Sequence, residues 1–576
     1  MSGVSEIKKP ANPGKDSIDL KGMARWCLNY LRGNPDPNRG YECKWALGPL
    51  GIPFHVPITP SNKYGFDVVS LGDTDSRMDC VYAYMREVAE EPEPDPVELG
   101  VRGRTLGYLR DDNYSWVNPA AAIGETIDGE WILTWTTAKM LYALSETYAK
   151  TKELALKKKT RDIMLALKKM AVWKDGAAYY QGIAPYKDGE WLFRNWALQH
   201  GHNYPFIVEP LLRYWECIGD DEEGFALAKA FADGFLAEIQ PDMGDMRINP
   251  ETGEFKQHVH LHTHAVWGVA HLGAVTGDSR YTEWARKAHD YVVAMGTDYG
   301  WYPEFLPQAE YRSEVCILGD MVSLGAWLAR SGMPEYWDTV ERTVRNELCK
   351  SQFFLNPAFI KLFNEVHKDK PEEARQALKD LRSIEGGFVA QSTFDDLVSY
   401  PGPDLGKAGL SVNGIQMMGC CPPEGMRGLW EAWRAVIEKH PEGIFVNLSF
   451  SKENELGKVT AFKPECGRLE VTAKAAGAYF IRPPAWVERS GCRLSRNNKN
   501  EALKWGGPAC AYVECGNVEP GEEIRVEWPA YGFLQSFDAK SISGRVQPVE
   551  VKWSGNEVVG VNPPAKYLSK YNPSGK

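Results

Sequence analysis

From about Leu20 to His440 the apolar positions recur mostly at helical spacing. The clearest stretches are Trp131 to Tyr148, Ala155 to Val172, Phe206 to Cys217, Phe225 to Ile239, Ala265 to Val275, Tyr281 to Met295 and Met321 to Leu328. Two of these predicted helices run into the same kind of turn, Ile218-Gly219-Asp220 and Thr276-Gly277-Asp278. Glycine there takes the left-handed conformation that closes a helix. Another helix follows each turn, so consecutive elements form helical hairpins. Roughly twelve helices are predicted, which suits an (α/α)6 barrel of six hairpins around a central pit.

Near residue 441 the period changes. Phe445 to Phe450, Arg468 to Thr472, Ala478 to Arg482 and Ile524 to Trp528 read as strands, most of them alternating with period two between Pro, Gly and Asn. They predict an antiparallel β-sandwich after the barrel. The tail from Val546 to Val561 adds two strands around Ser554-Gly555-Asn556. The fold class is therefore mainly α with a β domain. Residues 1–19 are expected as a flexible segment, 20–440 as the catalytic barrel, and 441–576 as the sandwich with its C-terminal strands. The basic run Lys157 to Arg161 reads as a solvated helix face. The acidic, proline-rich Glu90 to Pro96 reads as a surface loop.

Composition narrows the function. With 43% hydrophobic and 25% charged residues in 576, the chain has the make-up of a soluble globular protein too long for one ordinary compact core. A formal charge of −11 argues against nucleic acid as a partner and gives no attraction to anionic membranes. No run approaches the roughly 18 apolar residues of a membrane helix. The opening residues carry no apolar core of a secretion signal, and the twelve cysteines are irregularly spaced. Together these suggest reduced thiols in a cytoplasmic setting. Twenty Trp and 26 Tyr supply rings that can stack on sugar faces, although most such rings are core.

The chemistry gathers in two segments, Glu314-Val315-Cys316 and Gly419-Cys420-Cys421-Pro422-Pro423-Glu424. Cys420-Cys421 alone would read as two buried thiols. Three thiols with a carboxylate can fill the four tetrahedral positions zinc prefers, and a metal site keeps thiols as thiolates, the nucleophilic form. These motifs resemble those of the zinc-dependent, cysteine-nucleophile β-L-arabinofuranosidases, glycoside hydrolase family 127. Three more stretches are similar to that family: Glu335-Tyr336-Trp337 through Val344-Arg345-Asn346, Gly443 to Leu448, and His258 to Asp278. The family has asparagine where this chain has Glu424. The segment before Glu314 is also changed.

The resemblance implies a retaining, exo-acting glycoside hydrolase, a β-L-arabinofuranosidase or one of related sugar specificity. Zn²⁺ would be held by Glu314, Cys316, Cys420 and Cys421, with Cys420 attacking the sugar. It also makes His258 the sugar-binding histidine. His202 and His262 are candidates to join it, with Trp267 and Trp301 against the apolar sugar face. His258, His260, His262 and His264 would share one face of a strand, whereas a helix pairs His258 with His262 and His260 with His264. A second, histidine-rich metal site is the rival reading. Glu304, among Trp301, Tyr302 and Phe305, is the expected acid, because desolvation favours a neutral carboxyl; Asp298 and Glu310 are its rivals. The partner is a small oligosaccharide or glycoside, and a homodimer is the assembly considered. Rival functions are a sugar isomerase or epimerase on the same barrel, and a non-catalytic carbohydrate-binding relative.

Overall fold

The computed structural model describes residues 2–6, 14–16, 18–54, 72–117, 131–132, 134–180, 184–187, 190–191, 206–219, 221–238, 247–306, 312–399, 414–540 and 546–571. Six helices form its inner ring: Asp73–Ala89, Thr134–Thr151, Val208–Ile218, Val259–Thr276, Val315–Arg330 and Cys421–Ala435. Each touches the next, and the last returns to the first, so the ring closes. This is the (α/α)6 barrel the periodicity predicts.

Burial explains which helices take the inner places. Val259–Thr276 and Val315–Arg330 are buried on nearly every side, whereas outer helices such as Leu154–Met170 keep one charged face in water. The predicted basic run lies on that face, with Lys158 78% exposed. Fourteen α-helices are present among the described residues, more than the spacing predicts. One addition is Pro96–Gly107. Asp95, read as loop, caps this helix by accepting from the Val97 and Glu98 N–H groups, and Pro96 occupies the first turn.

The sandwich pairs a five-stranded sheet with a six-stranded one. Arg468–Ala473 shows why it forms: Leu469, Val471 and Ala473 point inward, and the residues between them point outward. One pair departs from the antiparallel expectation. Gly443–Val446 runs parallel to Gly477–Ile481, because the chain between them visits the other sheet first. The two predicted tail strands, Val546–Ser554 and Glu557–Asn562, do pair, but they belong to a third sheet with Tyr531–Lys540 and Ser2–Glu6. The segment expected to be flexible thus contains a paired strand. The core of this sheet joins Val549, Val551 and Trp553 to Tyr299, Trp301 and Phe394 of the barrel.

The seam between barrel and sandwich is polar and specific. Trp337 Nε1 donates to Tyr512 Oη at 3.1 Å, and Tyr512 donates to Asn447 Oδ1 at 2.8 Å. Arg345 donates to the Ser449 carbonyl, and Asn346 binds the backbone at both Asn556 and Val558. Two of the family-like stretches, around Trp337 to Asn346 and Gly443 to Leu448, therefore sit at a structural joint. Among the described residues no helix is long and apolar enough to cross a membrane.

Candidate functional site

Three neighbouring inner helices begin side by side, and the residue at each start is chemical rather than a helix cap. His258 precedes Val259–Thr276, Glu314 precedes Val315–Arg330, and Cys420 precedes Cys421–Ala435. None of these side chains hydrogen-bonds to its own helix end. A capping side chain is worth about 1 kcal/mol, so stability is forgone at three adjacent positions. The side chains turn to one another instead. His258 Nε2 lies 2.7 Å from Glu314 Oε2, and the Cys421 thiol donates to Glu314 Oε1 at 3.4 Å. Converging helix N-termini also favour negative charge at this point.

Glu314, Cys316, Cys420 and Cys421 are brought together, each offering a donor atom within 4.8 Å of the others. Cys316 and Cys421 sulfurs are 3.3 Å apart, and those of Cys420 and Cys421 are 3.6 Å apart. A tetrahedron with zinc–sulfur arms of about 2.3 Å and a zinc–oxygen arm of about 2.0 Å has edges of about 3.5–3.8 Å. The donor set fits a zinc ion. Short strands hold the approach to it: Ser313–Glu314 pairs with Gln391–Ser392, and Met417–Met418 pairs with Ala46–Leu47. At Gly419 a Cβ would come within 2.4 Å of Thr74 Oγ1 and 2.5 Å of the Trp45 ring, so glycine lets the chain reach Cys420.

The three sulfurs are not equivalent. Cys316 and Cys421 are fully buried, and burial drives their thiols up. Cys420 is partly exposed and held well below the ordinary thiol range. Hydrogen bonds from Cys316 and Cys421 do this first, with help from Arg77 and His260 against the opposing effect of burial. Cys420 is thus the sulfur that becomes thiolate most readily, and the one with an open side.

Beneath the cluster lies a buried ionic chain. Arg77 pairs with Asp73 and Glu424; Arg427 pairs with Glu424 and, at 2.7 Å, with Asp320. Asp320 also lies 2.7 Å from His260 Nδ1 and 3.2 Å from His264 Nδ1, and it accepts from Thr263. Burial lowers His264 to about 4 despite that carboxylate. His260, His264 and Asp320 have the spacing of a metal trio, but Thr263 and Arg427 also occupy the Asp320 oxygens. The helix pairs His260 with His264 as expected, within this ionic network. Glu424, the departure from the family asparagine, links the two arginines.

Glu304 sits beside the cluster, with an oxygen within 4.8 Å of both His258 and Glu314. It is buried, as expected, but between polar partners. Arg312 forms an ion pair with it, and Gln391 Nε2 donates to Oε2 at 2.9 Å. The rival Asp298 lies in the groove beside the third sheet, accepting from Gln535. Glu310 and His202 lie outside the described residues.

Three further candidates are each packed against a neighbouring side chain. His262 stacks on Phe255 at 4.1 Å, and its Nδ1 lies 2.9 Å from the His258 carbonyl. Trp301 packs on Phe394 at 4.1 Å in the third sheet's core and is 2% exposed. Trp267 has its ring covered by the Arg427 guanidinium at 3.8 Å. Sequence reasoning missed Arg77, Asp320 and Gln391. For Arg77 the only signal was Asp73 four residues earlier, which normally marks an exposed helix pair.

The fold and site together define an (α/α)6 barrel with an appended β-sandwich and a Cys₃Glu cluster at the helix entrances. Its fold is shared by a GH127 β-L-arabinofuranosidase from Geobacillus stearothermophilus T6, at 14% identity and TM-score 0.58 over 97% of this chain and 86% of that one. A second GH127 β-arabinofuranosidase is similar at 14% identity and TM-score 0.59, covering 96% and 85%. A structure titled simply glycoside hydrolase matches at 13% and 0.55, covering 84% and 77%. No family model and no curated protein matches the sequence. At such identities the likeness establishes the fold.

Proposed function

We propose that this protein is a retaining glycoside hydrolase that removes a terminal sugar from a small glycoside, with Cys420 as nucleophile. The observation that carries the reading is the four-donor cluster, in which Cys420 offers the one sulfur that is not fully buried and Glu304 lies beside the ligand Glu314. Glu314, Cys316, Cys420 and Cys421 would hold zinc. When bound, zinc would keep the thiols deprotonated near neutral pH.

In the first half-reaction the Cys420 sulfur forms a bond to the anomeric carbon as the carbon–oxygen bond to the leaving group breaks. The leaving oxygen takes a proton from Glu304. In the second half, Glu304 takes a proton from water, whose oxygen displaces Cys420 and completes retention. Arg312, paired with Glu304, is the cation beside the carboxyl group that gives up this proton and takes it back. His258, fixed by Glu314, is the candidate sugar-hydroxyl ligand. A β-L-arabinofuranoside is the substrate class proposed, by likeness to the named structures and motifs.

Three measurements test this. Elemental analysis should find about one zinc per chain. Nitrophenyl β-L-arabinofuranoside should be turned over, and Cys420→Ala should lose that activity. A sugar epoxide of matching configuration should label Cys420 in peptide mass spectra. Labelling of a carboxylate instead would return the chemistry to two carboxylates and sink the reading.

A further inference from the structure

Gln391 sits beside Glu304 and Glu314, yet neither the zinc ligands nor the nucleophile requires it. Its backbone pairs with Glu314 across the Ser313–Glu314 and Gln391–Ser392 strands. Its side chain is 6% exposed and reaches Glu304 rather than its strand partner, donating Nε2 to Oε2 at 2.9 Å. Against an ionised Glu304 that contact fixes which way the amide faces, because the reversed amide would set oxygen against oxygen. Gln391 Oε1 therefore points away from Glu304, and it is buried with no hydrogen-bond partner. Native proteins leave few such acceptors unmet, and one beside Glu304 at the edge of the four-donor cluster calls for a donor from outside the chain. A sugar ring offers such donors, since each hydroxyl carries an O–H.

We propose that Gln391 positions Glu304 with one end of its amide and accepts a hydroxyl of the bound sugar with the other. This rests on the glycosidase reading above. A single rigid amide would then couple recognition to chemistry. A sugar whose hydroxyl meets Oε1 finds the Glu304 carboxylate already aligned with its leaving oxygen, whereas a ring lacking that hydroxyl leaves the acceptor unmet. The ligand class is a polyhydroxylated furanoside, selected by one hydroxyl close to the bond that is cut.

The test uses the full-length, zinc-loaded protein with nitrophenyl β-L-arabinofuranoside and its singly deoxygenated analogues. Gln391→Met keeps the length and removes both polar ends. It should lower kcat about 100-fold through misplaced Glu304, and raise KM about tenfold through the lost hydroxyl contact. Zinc content and thermal midpoint should stay at wild-type values. Against one deoxygenated glycoside the KM effect should vanish, because wild type has already lost the same contact. Should Gln391→Met fail to fold, Gln391→Glu keeps the shape and the acceptor; it should depress kcat while leaving KM near wild type. Unchanged kcat in the folded variant, or equal KM effects on every analogue, would overturn the proposal and leave the glycosidase reading standing. A wild-type protein that turns over no glycoside and binds no L-arabinose by calorimetry would overturn both.

Discussion

Gly319→Ala tests how the two halves of the metal cluster are brought together. Gly319 lies one turn past Cys316, and on the neighbouring helix Glu424 lies one turn past Cys421. A Cβ on Gly319 would meet the Glu424 carbonyl oxygen at 2.3 Å, about 1.1 Å short of ordinary contact at 3.4 Å. That oxygen is backbone, so relief requires the helices to part. Parting by about 1 Å would carry the 3.3 Å separation of Cys316 and Cys421 beyond the roughly 3.8 Å edge of a zinc–thiolate tetrahedron. Overpacking of this kind costs about 1–3 kcal/mol, against a gain of about 1 kcal/mol for replacing a helical glycine. The net expectation is a loss of up to about 2 kcal/mol and at least about tenfold weaker zinc binding. Gly103→Ala is the control. It too lies within a helix, but nothing stands within 4 Å of its Cβ, so it should stabilise by up to about 1 kcal/mol. Urea unfolding and zinc competition with a chelator measure both effects. The reasoning fails if Gly319→Ala is as stable as Gly103→Ala and keeps its zinc equally well.

Other sites give independent tests. Burial opposes charge on His271, but Glu209 and Glu216 raise it to about 9. Its contribution is complete below the unfolded value near 6.5 and is lost as pH rises through about 9. The stability gap between wild type and His271→Gln should thus narrow between pH 6 and pH 9.5 by on the order of 2–3 kcal/mol, read from urea midpoints. Tyr512→Phe should cost about 1–3 kcal/mol by stranding Trp337 Nε1 and Asn447 Oδ1, while zinc content and turnover stay unchanged; loss of zinc would show that the seam is coupled to the site. Asp320→Asn, at a fully buried position, should cost about 3–5 kcal/mol because Arg427 and two histidines lose their shared anion; a thermal midpoint within error of wild type would refute the network.

Both domains were legible because their periods are set by what each element must bury. Val315–Arg330 is mostly apolar and buried on nearly every side, and Arg468–Ala473 alternates strictly, so each reports its place locally. The residue types of the metal cluster were legible too, since few side chains suit zinc. The roles of Trp301, Trp267 and His262 were not. An aromatic ring beside a candidate acid reads as a sugar platform until the third sheet is seen to cover Trp301 and Arg427 to cover Trp267. Glu304 shows the same limit. Its sequence neighbours are apolar rings, whereas its polar partners Arg312 and Gln391 appear only in the fold, where the strand pair brings Gln391 to it.

By itself, then, the sequence determined the periods, the helix-closing glycines and the donor atoms available to a metal. These depend on the local backbone and on the chemistry of single side chains. Which charges face one another was decided only in three dimensions. Arg77 and Glu424 are 347 positions apart, and Gln391 and Glu304 are 87. Such pairings arise from the closure of a six-helix ring, and electrostatic energy depends on distance through space, of which the order of residues along the chain keeps no record.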